Sequence, residues 1–124
     1  MRIVRTSLSV VFAAFLLSAG VAQTYAAGAL AVGACAAYDY AYDYPTAEAA
    51  QAAAMEKCTG ECKHVVATKK GCVALAIDGR KPCGPNGFAN APKLGAAQNT
   101  ALKQCYKHGG KDCMIRAWIC DAKG

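Results

Sequence analysis

Residues 45 to 58 (PTAEAAQAAAMEKC) align without a gap to residues 92 to 105 (PKLGAAQNTALKQC), at a constant offset of 47. Pro45, Ala49, Ala50, Gln51, Ala54 and Cys58 recur as Pro92, Ala96, Ala97, Gln98, Ala101 and Cys105, and Met55 becomes Leu102. The flanks follow with small shifts. ALAV at 29–32 resembles ALAI at 74–77, Cys62 and Cys72 correspond to Cys113 and Cys120, and Cys35 and Cys83 are 48 apart. A repeat of this kind restricts the chain to folds made of two similar supersecondary units packed on one another. The two units run from about 28 to 72 and from 73 to 121.

Each unit reads as strands, helix, strand. The segment after Pro45 is rich in Ala, Met, Glu and Gln, all strong helix formers, and Thr46 is placed to cap its first turn. In the second unit Asn90 is a better cap candidate than Lys93. Gly60 and the Gly109–Gly110 pair stand where the helices must stop. Each helix is followed by a run of β-branched or aromatic residues, 62–68 and 113–120, and Lys69 to Gly71 turn the first of these into the ALAI strand. The expected fold is α+β: a duplicated strand-helix-strand unit with two short helices on one face of a mostly antiparallel, disulfide-stapled sheet. Parallel pairing of the two units' strands is the topological alternative.

The N-terminus has three zones: basic Arg2 and Arg5, an apolar run from Leu8 to Val21, then small residues with Gln23 and Thr24. That is the pattern of a secretory signal peptide, and its apolar run of about 14 residues falls short of the ~20 that span a bilayer. Cleavage after Ala22 or Ala26 is expected, so that 1–26 is a signal peptide and 27–124 a single domain, periplasmic or secreted, with no transmembrane segment. Val32, Gly33, Ala34 and Cys35 loosely resemble a lipoprotein cleavage site, but polar Gln23 and Thr24 interrupt the apolar region well before it.

All eight cysteines lie beyond the signal peptide, and in an exported chain of this size they read as a disulfide scaffold. Bridged Cα atoms must lie within about 7 Å. On a continuous strand Cys113 and Cys120 would be ~23 Å apart, and a turn at Lys69 to Gly71 leaves Cys62 ~20 Å from Cys72. Helix ends do return close to the strands that follow them, which pairs Cys58 with Cys62 and Cys105 with Cys113. Pseudosymmetry then pairs Cys72 with Cys120 and Cys35 with Cys83.

Several chemistries are disfavoured. Ser7, Ser9 and Ser18 all fall in the signal peptide, so no serine nucleophile remains. Paired cysteines leave no thiolate, and the spacings around Cys58, Cys62 and His64, or Cys105, His108 and Cys113, are not those of zinc, Fe-S or haem sites; no metal and no cofactor is expected. Asp39 and Asp43 would share a strand face about 13 Å apart, too far for a glycosidase pair. Without Arg2 and Arg5 the chain keeps 12 basic against 8 acidic residues. They are scattered and form no helical stripe, which argues against nucleic acid as a partner.

The run YDYAYDY alternates Tyr38, Tyr40, Tyr42 and Tyr44 with Asp39, Ala41 and Asp43, so a regular strand would line all four phenol rings on one face. That face either packs under the helix or forms an aromatic platform for a partner. At offset 47 the tyrosines become Pro85, Gly87, Ala89 and Ala91, so the second unit does not keep them. Trp118, alternating with Arg116 and Cys120, reads as core.

The alanine-rich helix ending in Cys, the following Cys62-Lys63, and the GC-x-ALA segment (Gly71, Cys72, Ala74, Leu75, Ala76) resemble the secreted bacterial domain-of-unknown-function family 4189 over almost the whole mature chain. The second copy departs from the pattern at Lys93, Leu94 and Gly95. The resemblance implies a secreted disulfide domain of the same architecture and brings no established reaction. The expected function is an exported binding or inhibitory module that recognises an envelope or extracellular protein or glycan, with Tyr38, Tyr40, Tyr42 and Tyr44 as the candidate face. The alternative is a small envelope enzyme using carboxylates or His64 brought together by folding.

Overall fold

Small and large side chains alternate along Ala29-Leu30-Ala31-Val32 and along Ala74-Leu75-Ala76-Ile77, and in an extended strand that alternation sends them to opposite faces. The structure, a computed structural model, describes residues 27–121. The expected signal peptide lies outside the described residues. The chain runs β1 (Ala27–Val32), a short 3-10 turn (Ala34–Ala36), β2 (Tyr38–Tyr44), α1 (Ala47–Lys57), β3 (His64–Ala67), β4 (Cys72–Asp78), β5 (Asn86–Ala91), α2 (Leu94–Lys107) and β6 (Cys113–Cys120). The two alternating segments become the central strands of two three-stranded antiparallel sheets, ordered β2-β1-β3 and β5-β4-β6.

The large residues of the two central strands meet. Leu30 and Val32 of β1 pack with Val73, Leu75 and Ile77 of β4 and with Ile119 of β6, and Val66 and Phe88 close on this layer from the flanking strands. Leu30 and Leu75 are fully buried, each contributing roughly 1.5–3 kcal/mol. The small faces turn outward and take the helices. Ala50 and Ala54 of α1 lie on Ala29, Ala31 and Ala41, while Ala97, Ala101 and Cys105 of α2 lie on Cys72, Ala74, Ala76 and Ala89. The buried helix alanines are the ones that recur at offset 47.

The α+β class, the antiparallel pairing and the two short helices match the expectation. The arrangement differs: there are two sheets, with one helix on the outer face of each, giving helix, sheet, sheet, helix. The physical reason is the alternation itself. A single sheet with both helices on its alanine face would leave Leu30, Val32, Val73, Leu75 and Ile77 facing water, and stacking two sheets buries that face.

The Thr46 side chain caps α1, accepting from the Ala49 N–H at 3.1 Å. Helix α2 starts at Lys93 with no side-chain cap, and Asn90 lies in β5 rather than at the helix end. The Asn90 amide donates to the carbonyl oxygens of Ala67, Thr68 and Cys72, tying the end of β3 to the other sheet. Four disulfides join Cys35 to Cys83, Cys58 to Cys62, Cys72 to Cys120 and Cys105 to Cys113. Two of them tie each helix end to the segment after it, one joins facing residues of β4 and β6, and Cys35–Cys83 links the two halves. Among the described residues no helix is long and apolar enough to cross a membrane.

Candidate functional site

The tyrosine run forms the edge strand β2, and its regular alternation breaks near the end. Ala29 faces Ala41 across the ladder while Ala27 faces Tyr44, so β2 carries one extra residue there, and Asp43 takes a positive φ of 60°. A bulge of this kind re-aims the side chains that follow. Tyr44 consequently packs with the alanine layer under α1, whereas Tyr38 packs against the layer between the sheets. Tyr40 and Tyr42 are 45% and 58% exposed, their rings stacked with centroids 6.0 Å apart. The four rings therefore do not share one face, and Asp43 of the Asp39 and Asp43 pair falls in the bulge itself, between Ala41 and Tyr44.

The ladders also correct the comparison between the halves. Tyr38 faces Val32 as Asn86 faces Ile77, and Tyr40 faces Leu30 as Phe88 faces Leu75. The structural counterparts are Asn86 and Phe88, not Pro85 and Gly87. Past the bulge the offset returns to 47, with Tyr44 facing Ala27 as Ala91 faces Cys72.

A second edge strand lies beside β2. Strand β6 is bulged too, since Leu75 faces Ala117 and Ala76 faces Ile115, leaving Arg116 as the extra residue. Its guanidinium lies 5.3 Å over the Tyr38 ring, a cation–π contact that holds the side chain across the gap between the sheets. Trp118 pairs with Ala74 on the α2 side of β6 and is 55% exposed, so it is not a core residue. Tyr38, Tyr40, Gln98, Arg116 and Trp118 line an open groove of about 480 Å³, with Ile115 and Ala117 completing it. The repeat marks Gln98, but nothing in the sequence puts Arg116 and Trp118 beside the tyrosines. Both depend on a bulge and on contact between two sheets.

The remaining candidates lie elsewhere. His64 begins β3, exposed, with its ring 5.5 Å from Phe88, in a smaller cleft of about 200 Å³ with Glu61, Lys63 and Asn86. One acid lines that cleft. His108 Nδ1 is 2.8 Å from the Asn86 carbonyl oxygen. Cys62 is in a disulfide and there is no free cysteine among the described residues, so His64 has no thiol to activate. Among the described residues no three His, Cys, Asp or Glu side chains converge as metal ligands. Asp78, buried at the end of β4, accepts from the Lys111 N–H at 3.1 Å and the Arg80 N–H at 2.9 Å. These backbone donors, Lys111 foremost, hold its carboxyl below the usual range. They make it an anchor for two turns.

The sequence profile of a family described as Domain of unknown function (DUF4189) matches residues 27–120. The chain belongs to the DUF4189 family. No curated protein matches it. Among solved structures, the NMR structure of Rv1813c from Mycobacterium tuberculosis is similar, with a TM-score of 0.58 at 24% identity, covering 97% of this chain and 96% of that one. The likeness shows that this DUF4189 chain shares its fold with the mycobacterial protein.

Proposed function

We propose that this DUF4189 chain is exported and acts as a disulfide-stapled recognition module for an envelope or extracellular polymer or protein, with the groove between β2 and β6 as its binding face. One observation carries the reading: two half-exposed aromatic residues from opposite halves, Tyr40 and Trp118, line one open groove together with Arg116, whose guanidinium lies over the Tyr38 ring. Exposed aromatic rings offer large contact area at low entropy cost, and Tyr, Trp and Arg dominate binding hot spots. Export is supported by the three-zone N-terminus and by the four disulfides.

The test compares capture from an envelope extract on the immobilised oxidised protein with capture on Tyr40→Ala and Trp118→Ala. Both side chains are half in solvent, so each variant should keep its stability to within about 1 kcal/mol while losing the captured species. An unchanged set of captured species would sink the reading.

A further inference from the structure

Three features of the groove speak to the chemistry of its ligand. The first is an unneutralised charge. Among the described residues the ion pair is Arg80 with Asp112, both exposed, and no carboxylate pairs with Arg116. The Arg116 guanidinium is instead seated over the Tyr38 ring, which orders it while leaving its N–H fork for an oxyanion. The second is the pair of aromatic rings. Trp118 and Tyr40 are both half-exposed along the groove; aromatic faces are negatively polarised at their centres, and such faces suit the C–H face of a sugar ring. Tyr42 stacks against the Tyr40 ring and braces it from outside the groove, and the Gln98 amide on the groove wall is a donor and acceptor for hydroxyl groups.

The third feature sets a glycan above a peptide. An extended peptide adding to a sheet edge needs an unbroken row of ladder partners; β6 is bulged at Arg116, inside the groove, and β2 is bulged between Ala41 and Tyr44, just beyond its groove residues. Bulges interrupt that row and twist the edge away. The exposed Asp43 at the Tyr42 end disfavours an anion there, which leaves the Arg116 end for the acidic unit.

We infer that the groove binds a uronate-containing oligosaccharide, its carboxylate on Arg116 and its neighbouring rings on Trp118 and Tyr40. This rests on the recognition reading above and narrows it to one ligand class.

Trp118 is the one tryptophan of the chain, so its emission reports on the groove directly. The oxidised protein is titrated with tetragalacturonate, with maltotetraose as a neutral control and with tetraglutamate as an acidic peptide. A saturable emission change is expected with tetragalacturonate, at least about tenfold weaker with the other two, and weakened by added salt. Arg116→Gln should lower tetragalacturonate affinity by at least about tenfold with its melting temperature unchanged, and Arg116→Lys should restore part of it. Calorimetry on Tyr40→Ala supplies a readout independent of Trp118 and should show the same loss.

Equal binding of maltotetraose, full affinity in Arg116→Gln, or no response to either saccharide overturns the uronate assignment. Tighter binding of tetraglutamate overturns it in favour of a peptide ligand. If capture from envelope extract still depends on Tyr40 and Trp118 in any of these cases, the groove remains a recognition site and the ligand class alone was wrong. If that dependence is absent too, the recognition reading fails with it.

Discussion

Thr46 and Lys93 occupy the same place before their helices, and they differ in what they can do for the first turn. The Thr46 hydroxyl satisfies the Ala49 N–H, while Lys93 has no acceptor to offer and α2 begins without a side-chain cap. Thr46→Ala should therefore cost about 1 kcal/mol, and Lys93→Thr should gain up to a similar amount, both read from thermal unfolding. Capping is legible in a sequence because the bond closes within three residues. Asn90 shows the limit of that legibility. It looks like a cap by its type, yet its amide is used by Ala67, Thr68 and Cys72, residues in other elements that no local rule connects to it. Arg116 and Trp118 were illegible for the same reason: composition and alternation described them, but their neighbour Tyr38 comes from the other half.

Strands and helices here are matched through small residues, and the clearest evidence of how closely they approach is Gly87. A Cβ on Gly87 would strike the carbonyl oxygen of Ala101 and crowd the backbone of Cys105, both in α2. Gly87→Ala should thus destabilise by about 1–3 kcal/mol, since helix main chain cannot yield as a flexible side chain would. Gly95, in the first turn of α2, has nothing within 4 Å of the corresponding position, so Gly95→Ala should stabilise by up to about 1 kcal/mol. Urea unfolding of the two variants tests both signs together. The helix assignments and their buried alanines were legible because alanine content and the offset of 47 mark them directly. The bulges in β2 and β6 were not. A bulge is a mismatch between two strands, and nothing in β2 taken alone says where β1 will lack a partner.

Taken as the two sheets with their helices, the halves put Cys72, the first residue of β4, in the second; they meet through the Leu30 to Leu75 layer, through Asn90, and through one disulfide, Cys35–Cys83. The other three disulfides act within a half. Replacing both Cys35 and Cys83 by Ser should cost about 2–4 kcal/mol under oxidising conditions, read as a fall in the urea midpoint. Because the groove is walled by β2 from one half and β6 from the other, that variant also tests whether a fixed relation between the halves matters for capture. Two halves of this size have too little core to stand apart, which is why the apolar layer runs between them rather than within each.

Local chemistry and repetition were enough to specify an α+β chain with two short alanine-faced helices, antiparallel strands and a disulfide scaffold. Those properties depend on residues a few positions apart or on a pattern written twice. How the halves stack is decided only by tertiary packing, because alternation states that a strand has a large face and a small face without stating what covers each. The groove needed still more. It exists because two bulged edge strands, distant along the chain, come side by side once the large faces close on each other and exclude water.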